Sequence, residues 1–185
     1  QRQMCIRDRA IANLLFQFCG MPFSDLAHLE KSNLKQGLLK YNRLKTGTPM
    51  SIEVLESAHN AIGGLYNKTD ARSPDYPDYL FRILSGAYKR DEEEAYREYQ
   101  SALRRFNNDL KSLSRKLRIS SSVTSYTLRH SWATTAKYRG VPIEMISESL
   151  GHKSIKTTQI YLKGFELEER TKVNNCLLYT SPSPR

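Results

Sequence analysis

The sequence predicts a mainly α-helical domain with one small β-hairpin or sheet, an α+β fold. Three observations carry that expectation. Apolar residues recur at helical spacing through most of the chain. One stretch, 37–54, alternates with period two instead. Glycines and prolines fall between the helical stretches, where they end helices or turn the chain. A length of 185 residues suits one domain, or one domain with an extension, and 39% hydrophobic residues suffice for a core.

Taken in order, the first helical pattern covers 10–19, and Gly20 and Pro22 break it. SDLAHL, 24–29, restarts a helix with Ser24 as its N-cap. In 37–54, Leu39, Tyr41, Arg43 and Lys45 alternate along one strand, and Met50, Ile52 and Val54 along the next. TGTP, 46–49, is the expected turn between them. A helix at 55–62 stops at Gly63 and Gly64. The polar stretch 66–78 reads as a loop, with Pro74 and Pro77. DYLFRIL, 78–84, reads as a short apolar helix. The longest helix is expected at about 91–117, with acids in its first turns and Lys111, Arg115 and Lys116 near its end. That polarity complements the helix dipole. After a linker at 119–125, a helix over 126–139 ends at Gly140. Pro142 opens another, which Gly151 ends. Ser154 caps a short helix to Tyr161, and 166–173 forms a last one.

The two ends, 1–9 and 176–185, share no periodicity with their neighbours. They are expected to be non-native, which leaves a domain of 10–175. They hold Arg2, Arg7, Arg9 and Arg185 against Asp8, so setting them aside takes the net charge from +10 to +7. A balance this basic points to a polyanion, most often nucleic acid. The cysteines, Cys5, Cys19 and Cys176, are odd in number and widely spaced, which argues against a disulfide framework. The histidines do not cluster with cysteines or acids at ligand spacing, so neither metal nor other cofactor is expected. With no apolar run of about 20 residues and no signal-peptide pattern, a soluble cytoplasmic protein is expected.

One segment carries chemistry. TLRHSWATTAKYRGVPIEMISESLGHKSIKTTQIY, 127–161, places Arg129 in LRH, His152 in LGH and Tyr161 in TTQIY. His152 follows Arg129 by 23 positions and precedes Tyr161 by nine. The segment resembles the catalytic core of the tyrosine recombinases, the phage-integrase family, and looks nearest to integrases of conjugative transposons and other mobile elements. KTG, 45–47, falls where that family carries its β-strand lysine. The resemblance extends over about 10–173 and implies the tyrosine-recombinase catalytic-domain fold.

The resemblance implies site-specific DNA recombination or integration. Tyr161 would attack a phosphodiester, form a 3′-phosphotyrosyl link and release a 5′-hydroxyl. Arg129 and His152 would hold the phosphate oxygens, and Lys45 would protonate the leaving oxygen. The covalent link conserves the bond energy, so no cofactor is needed. Double-stranded DNA and further protomers, in a tetrameric synapse, are the implied partners, with the protein on the bacterial nucleoid when bound. The family's N-terminal core-binding domain has no counterpart here, so a truncated protein is expected. The tail at 165–175 is expected to pack on a neighbouring protomer.

Two positions depart from the pattern. Pro22 stands where the family has its first arginine, and Arg43, read as sharing a strand face with Lys45, is the candidate to replace it. Tyr126 stands where histidine is frequent, and a phenol would position rather than deprotonate. Asp25 matches an acid that is structural in the family. His130 reads as structural or supporting, and Trp132 and Ala136 as packing. Lys153, Lys156, Arg115 and Arg118 are candidate DNA contacts within a wider basic set that includes Arg104, Arg105 and Lys111. The alternative reading is a catalytically impaired DNA-binding module of the same fold.

Overall fold

A computed structural model describes residues 2–120 and 122–162, with side chains from residue 6 onward. The expected helix at 166–173, the tail at 165–175 and the end at 176–185 lie outside the described residues. Seven helices and three strands follow in the order α1 (Arg2–Gln17), α2 (Phe23–Ala27), β1 (Leu34–Lys35), β2 (Leu38–Asn42), β3 (Pro49–Glu53), α3 (Glu56–Leu65), α4 (Glu93–Lys116), α5 (Ser125–Tyr138), α6 (Ile143–Ser149) and α7 (Ile155–Tyr161). A single 3₁₀ turn, Lys31–Asn33, precedes β1. The α+β class holds. Among the described residues, no helix is long and apolar enough to cross a membrane.

The apolar faces sort into two clusters. The larger gathers Leu14, Leu15 and Phe18 of α1 and its C-terminal extension with Phe23 and Leu26 of α2, Leu39 and Ile52 of the sheet, Ile62 of α3 and Phe106 and Leu110 of α4. Phe23 stacks on Phe106 with ring centroids 5.0 Å apart, which docks α2 on α4. The smaller cluster is built by the last three helices: Ala133, Ile146, Leu150 and Leu162, with Trp132, Ala136 and Tyr161 packed against them. The packing role read for Trp132 and Ala136 is what the structure shows. Asn107 of α4 accepts from the backbone N–H of Ser125 at 2.8 Å, which ties the start of α5 to the larger cluster.

The sheet is antiparallel in the order β1-β2-β3, with Leu39 opposite Ile52 and Tyr41 opposite Met50. The hairpin is as expected, but its turn is not. β2 ends at Asn42, and the chain turns over Leu44 to Thr46, closed by Gly47 N–H donating to Arg43 C=O at 2.8 Å. Lys45 is therefore on the turn and exposed, while Arg43 is buried; the two do not share a strand face. Arg43 N–H still donates to Thr48 C=O at 2.9 Å, so the turn proper begins after Arg43, earlier than TGTP.

Three more expectations need correction. The first helix starts at Arg2 rather than at residue 10. Ser24 is inside α2 and caps nothing; Pro22 is the N-cap residue and makes no side-chain cap bond. The stretch 78–84 is not helical: residues 79–81 are extended and 82–84 turn. Leu80 N–H donates to Leu29 C=O at 2.7 Å, and Asn67 N–H to Leu80 C=O at 2.8 Å. The segment is thus paired on both sides, and Tyr79, Leu80, Phe81, Ile83 and Leu84 are all buried. A run apolar on both faces has no period to distinguish a buried strand from a buried helix.

Candidate active site

The site forms where the two clusters meet. Arg129 comes from the second turn of α5. The helix entry is fixed by a capping box, in which Thr124 and Thr127 exchange side-chain and backbone bonds. This start directs Arg129 inward, where it is 7% exposed. Its Nη1 donates to Gly20 C=O at 2.8 Å and its Nη2 to Leu150 C=O at 2.6 Å. Gly20 has φ +67°, and a Cβ there would lie 3.2–3.3 Å from Trp132 and Arg129. The first breaker in the sequence is therefore also a close approach to the arginine.

Arg43 reaches the same carbonyl from the hairpin. Its Nη1 donates to Leu150 C=O at 2.6 Å, and its Nε to Asp25 at 3.2 Å. Asp25 also accepts from Leu44 N–H at 3.4 Å. Both members of this ion pair are buried, with 7% and 1% of their side chains exposed. A buried pair is costly to break because the partner is left as an unpaired charge. Asp25, read from sequence as a support, thus has a specific object, Arg43. Two guanidinium groups and one carboxylate leave the pocket positively charged. Burial first, and then the Arg43 charge, bring Arg129 down to about 10, which leaves it cationic at neutral pH.

His152 follows Gly151, whose φ of +64° ends α6. Its Nδ1 lies 2.8 Å from Thr158 Oγ1, and its Nε2 lies 3.4 Å from Arg129 Nη2. Burial, and then Arg129 and Arg43, push His152 down to about 4, so the ring is neutral at physiological pH. Tyr161 ends α7, whose entry is capped by Ser154 accepting from Lys156 N–H at 3.2 Å. Its ring meets three others edge-on, His130 at 5.0 Å, Tyr126 at 5.8 Å and His152 at 5.9 Å. Its hydroxyl is buried without a hydrogen-bond partner among the described residues. Burial raises the Tyr161 phenol well above its ordinary value, the adjacent Tyr126 phenol adds to the rise, and Arg129 opposes it.

The structure therefore brings together Arg129, His152, Tyr161, Arg43 and Tyr126. Lys45 stands apart on the exposed turn, and among the described residues it makes no hydrogen bond or ion pair to them. The base of that turn is tied to the site, because Thr48 Oγ1 donates to Gly151 C=O at 3.3 Å. Lys153 and Lys156 are exposed on either side of the α7 cap, and Arg115 and Arg118 are exposed at the end of α4. One residue escaped the sequence reading, and another, His130, was read only as structural or supporting. Thr158 is fully buried against His152, and the period of α7 could have placed it on the inner face three residues before Tyr161. His130 is the ring nearest to Tyr161, one turn after Tyr126 on α5, a spacing visible in sequence.

Known proteins resemble this chain in sequence and in fold. A sequence model of the Phage integrase family matches residues 2–167. Tyrosine recombinase XerA of Pyrococcus furiosus is 33% identical over 160 residues, 85% of this chain and 50% of that protein. Tyrosine recombinase XerD of Pseudomonas aeruginosa is 28% identical over 163 residues, 84% of this chain and 49% of that protein. The chain thus spans about half the length of the curated relatives it matches. In fold, it matches the crystal structure of XerA recombinase with a TM-score of 0.63 at 23% identity, over 97% of this chain and 58% of that one. It also matches XerH site-specific recombinase bound to a palindromic difH substrate in a post-cleavage complex, with a TM-score of 0.66 at 17% identity, over 96% and 47%. A capped helix that aims Arg129 inward, a glycine turn that presents His152 and a short helix ending on Tyr161 make up a tyrosine-recombinase catalytic domain, and the chain belongs to the phage integrase family.

Proposed function

We propose that this domain cuts and rejoins double-stranded DNA at specific sites through a phosphotyrosyl intermediate. The observation that carries the reading is the grip of Arg43 and Arg129 on one carbonyl, beside His152 and Tyr161. Two fixed cations around one oxygen suit a phosphate, whose non-bridging oxygens gain charge as the phosphorane forms. Tyr161 forms the new P–O bond, the bond to the 5′-oxygen breaks, and Lys45 gives that oxygen its proton. Among the described residues, Nη2 of Arg43 has no hydrogen-bond partner, which supports Arg43 in the role that Pro22 cannot fill. Tyr126 and His130 orient the nucleophile's ring. Lys153, Lys156, Arg115 and Arg118 contact the DNA backbone. The native domain is 10–175, it works within a longer protein, and four protomers assemble on two sites.

The test uses the full-length protein and nicked duplexes carrying a site selected from a random library by binding. A covalent protein–DNA complex is expected with the parent and absent with Tyr161→Phe. DNA binding without any adduct would support the impaired binding module, a reading favoured by the enclosed Tyr161 hydroxyl. For Arg43, the double change Arg43→Gln with Asp25→Asn avoids an orphaned buried carboxylate. Adduct formation should fall by about 10²–10³, the usual loss for one oxyanion donor, while DNA affinity changes little. An unchanged cleavage rate would remove Arg43 from the mechanism.

A further inference from the structure

Thr158 lies within α7, three residues before Tyr161, and is fully buried. Leaving a buried hydroxyl unpaired is costly, so its partner is informative. That partner is Nδ1 of His152, at 2.8 Å. The other ring nitrogen faces Arg129 at 3.4 Å. His152 is thus held between the helix that carries the tyrosine and an arginine of the pocket.

A neutral imidazole has one N–H and one lone pair, and the partner of one nitrogen decides which role the other takes. A carbonyl or carboxylate against Nδ1 could only accept, and would keep the proton there. A hydroxyl accepts or donates by turning about its own C–O bond. Arg129 only donates, so in the DNA-free site Nε2 offers its lone pair and Nδ1–H donates to Thr158. A phosphate oxygen only accepts. Once it takes up the Arg129 hydrogen, Nε2 carries the proton and Thr158 donates to Nδ1. We propose that Thr158 is a positioning residue that lets His152 exchange between its two neutral tautomers with the ring held in place. One proton leaves Nδ1 for solvent and one reaches Nε2 from solvent, so the ring's charge is unchanged. The inference rests on reading the pocket as a phosphate site.

Nitrogen-15 NMR of a chain labelled in histidine and arginine tests it, with dimethyl phosphate, an acceptor-only phosphodiester, as the probe and the Arg129 side-chain signals reporting occupancy. In the parent chain, the His152 proton should be on Nδ1 when free and on Nε2 at saturating dimethyl phosphate. Thr158→Ser, which keeps the hydroxyl, should behave the same. Thr158→Val, nearly isosteric, removes the Nδ1 partner in both states and should leave the ring without a fixed orientation, seen as exchange-broadened or averaged His152 signals. In the full-length protein it should slow adduct formation by about tenfold to a hundredfold with DNA affinity intact, the scale of a small misplacement in a site. A Thr158→Val chain matching the parent in both states would overturn the proposal, as would failure of Thr158→Ser to preserve the parent pattern. If dimethyl phosphate leaves the Arg129 signals unmoved, the phosphate site itself is refuted. The free-state comparison of the two variants then still decides whether Thr158 governs the ring.

Discussion

A methyl group on Gly151 would lie 2.4 Å from Cδ of Arg43 and 2.8 Å from Sδ of Met50. The residue also sits at φ +64°, a conformation that L side chains rarely adopt. Gly151→Ala should therefore cost about 1–3 kcal/mol, from overpacking and backbone strain, readable as a lower urea midpoint. It should also move Arg43 off the Leu150 carbonyl and slow adduct formation more than Gly140→Ala, where a Cβ would meet open space at φ +76°. Equal effects of the two changes would show that strain alone is felt. In sequence, Gly151 was legible as a helix terminator and no more. That it also makes room for Arg43 depends on a contact between residues 108 positions apart along the chain. Arg129, His152 and Tyr161 were legible because they are near one another along the chain and typed by motif. Arg43 was picked for its charge, but its partner Asp25 and its burial come from tertiary packing, and its supposed alignment with Lys45 failed at the turn.

Helices with a clear apolar stripe and strong end signals were legible as elements. The helix expected at about 91–117 is α4, Glu93–Lys116, and the one expected at 126–139 is α5, Ser125–Tyr138. Short elements were harder. β1 has two residues, too few for any period, yet its turn had a signal. Gln36 and Gly37 both have positive φ, 51° and 76°, as a two-residue hairpin turn of the primed type requires. The stretch 78–84 lacked a period because it is buried from both sides, and its backbone bonds go to residues 29 and 65–67, which local reasoning cannot reach. The site inherits its precision from these connections. The hairpin that carries Arg43 rests on the larger cluster, and α5 to α7 carry the remaining groups on the smaller one.

For the whole molecule, two half-buried groups, His152 and Asp8, act on acid stability in opposite directions. His152 titrates near 4 when folded and 6.5 when unfolded, so the unfolded chain binds the extra proton and stability falls as pH drops from about 6.5 to 4. Asp8 is the reverse. Burial against α4, and then Asp109, raise it from 3.8 to about 6, so the folded chain binds the extra proton and stability rises as pH falls through that window. The two effects offset each other in the parent. Asp8→Asn should raise the urea midpoint at pH 7.5 and make its decline between pH 6.5 and 4.5 steeper than in the parent. A parallel decline in both proteins would show that Asp8 does not couple α1 to α4.

The Tyr161 hydroxyl has a consequence at the same scale. Under the proposed function, the domain meets vastly more wrong phosphates than right ones. A phenol with its oxygen out of solvent, its ionisation made harder by burial and three rings packed edge-on around it is poorly placed to react with whatever backbone drifts past. On that reading, only a duplex that binds well enough to rearrange α7 or Tyr126 would gain access to it, and affinity for the right site would become permission to cut.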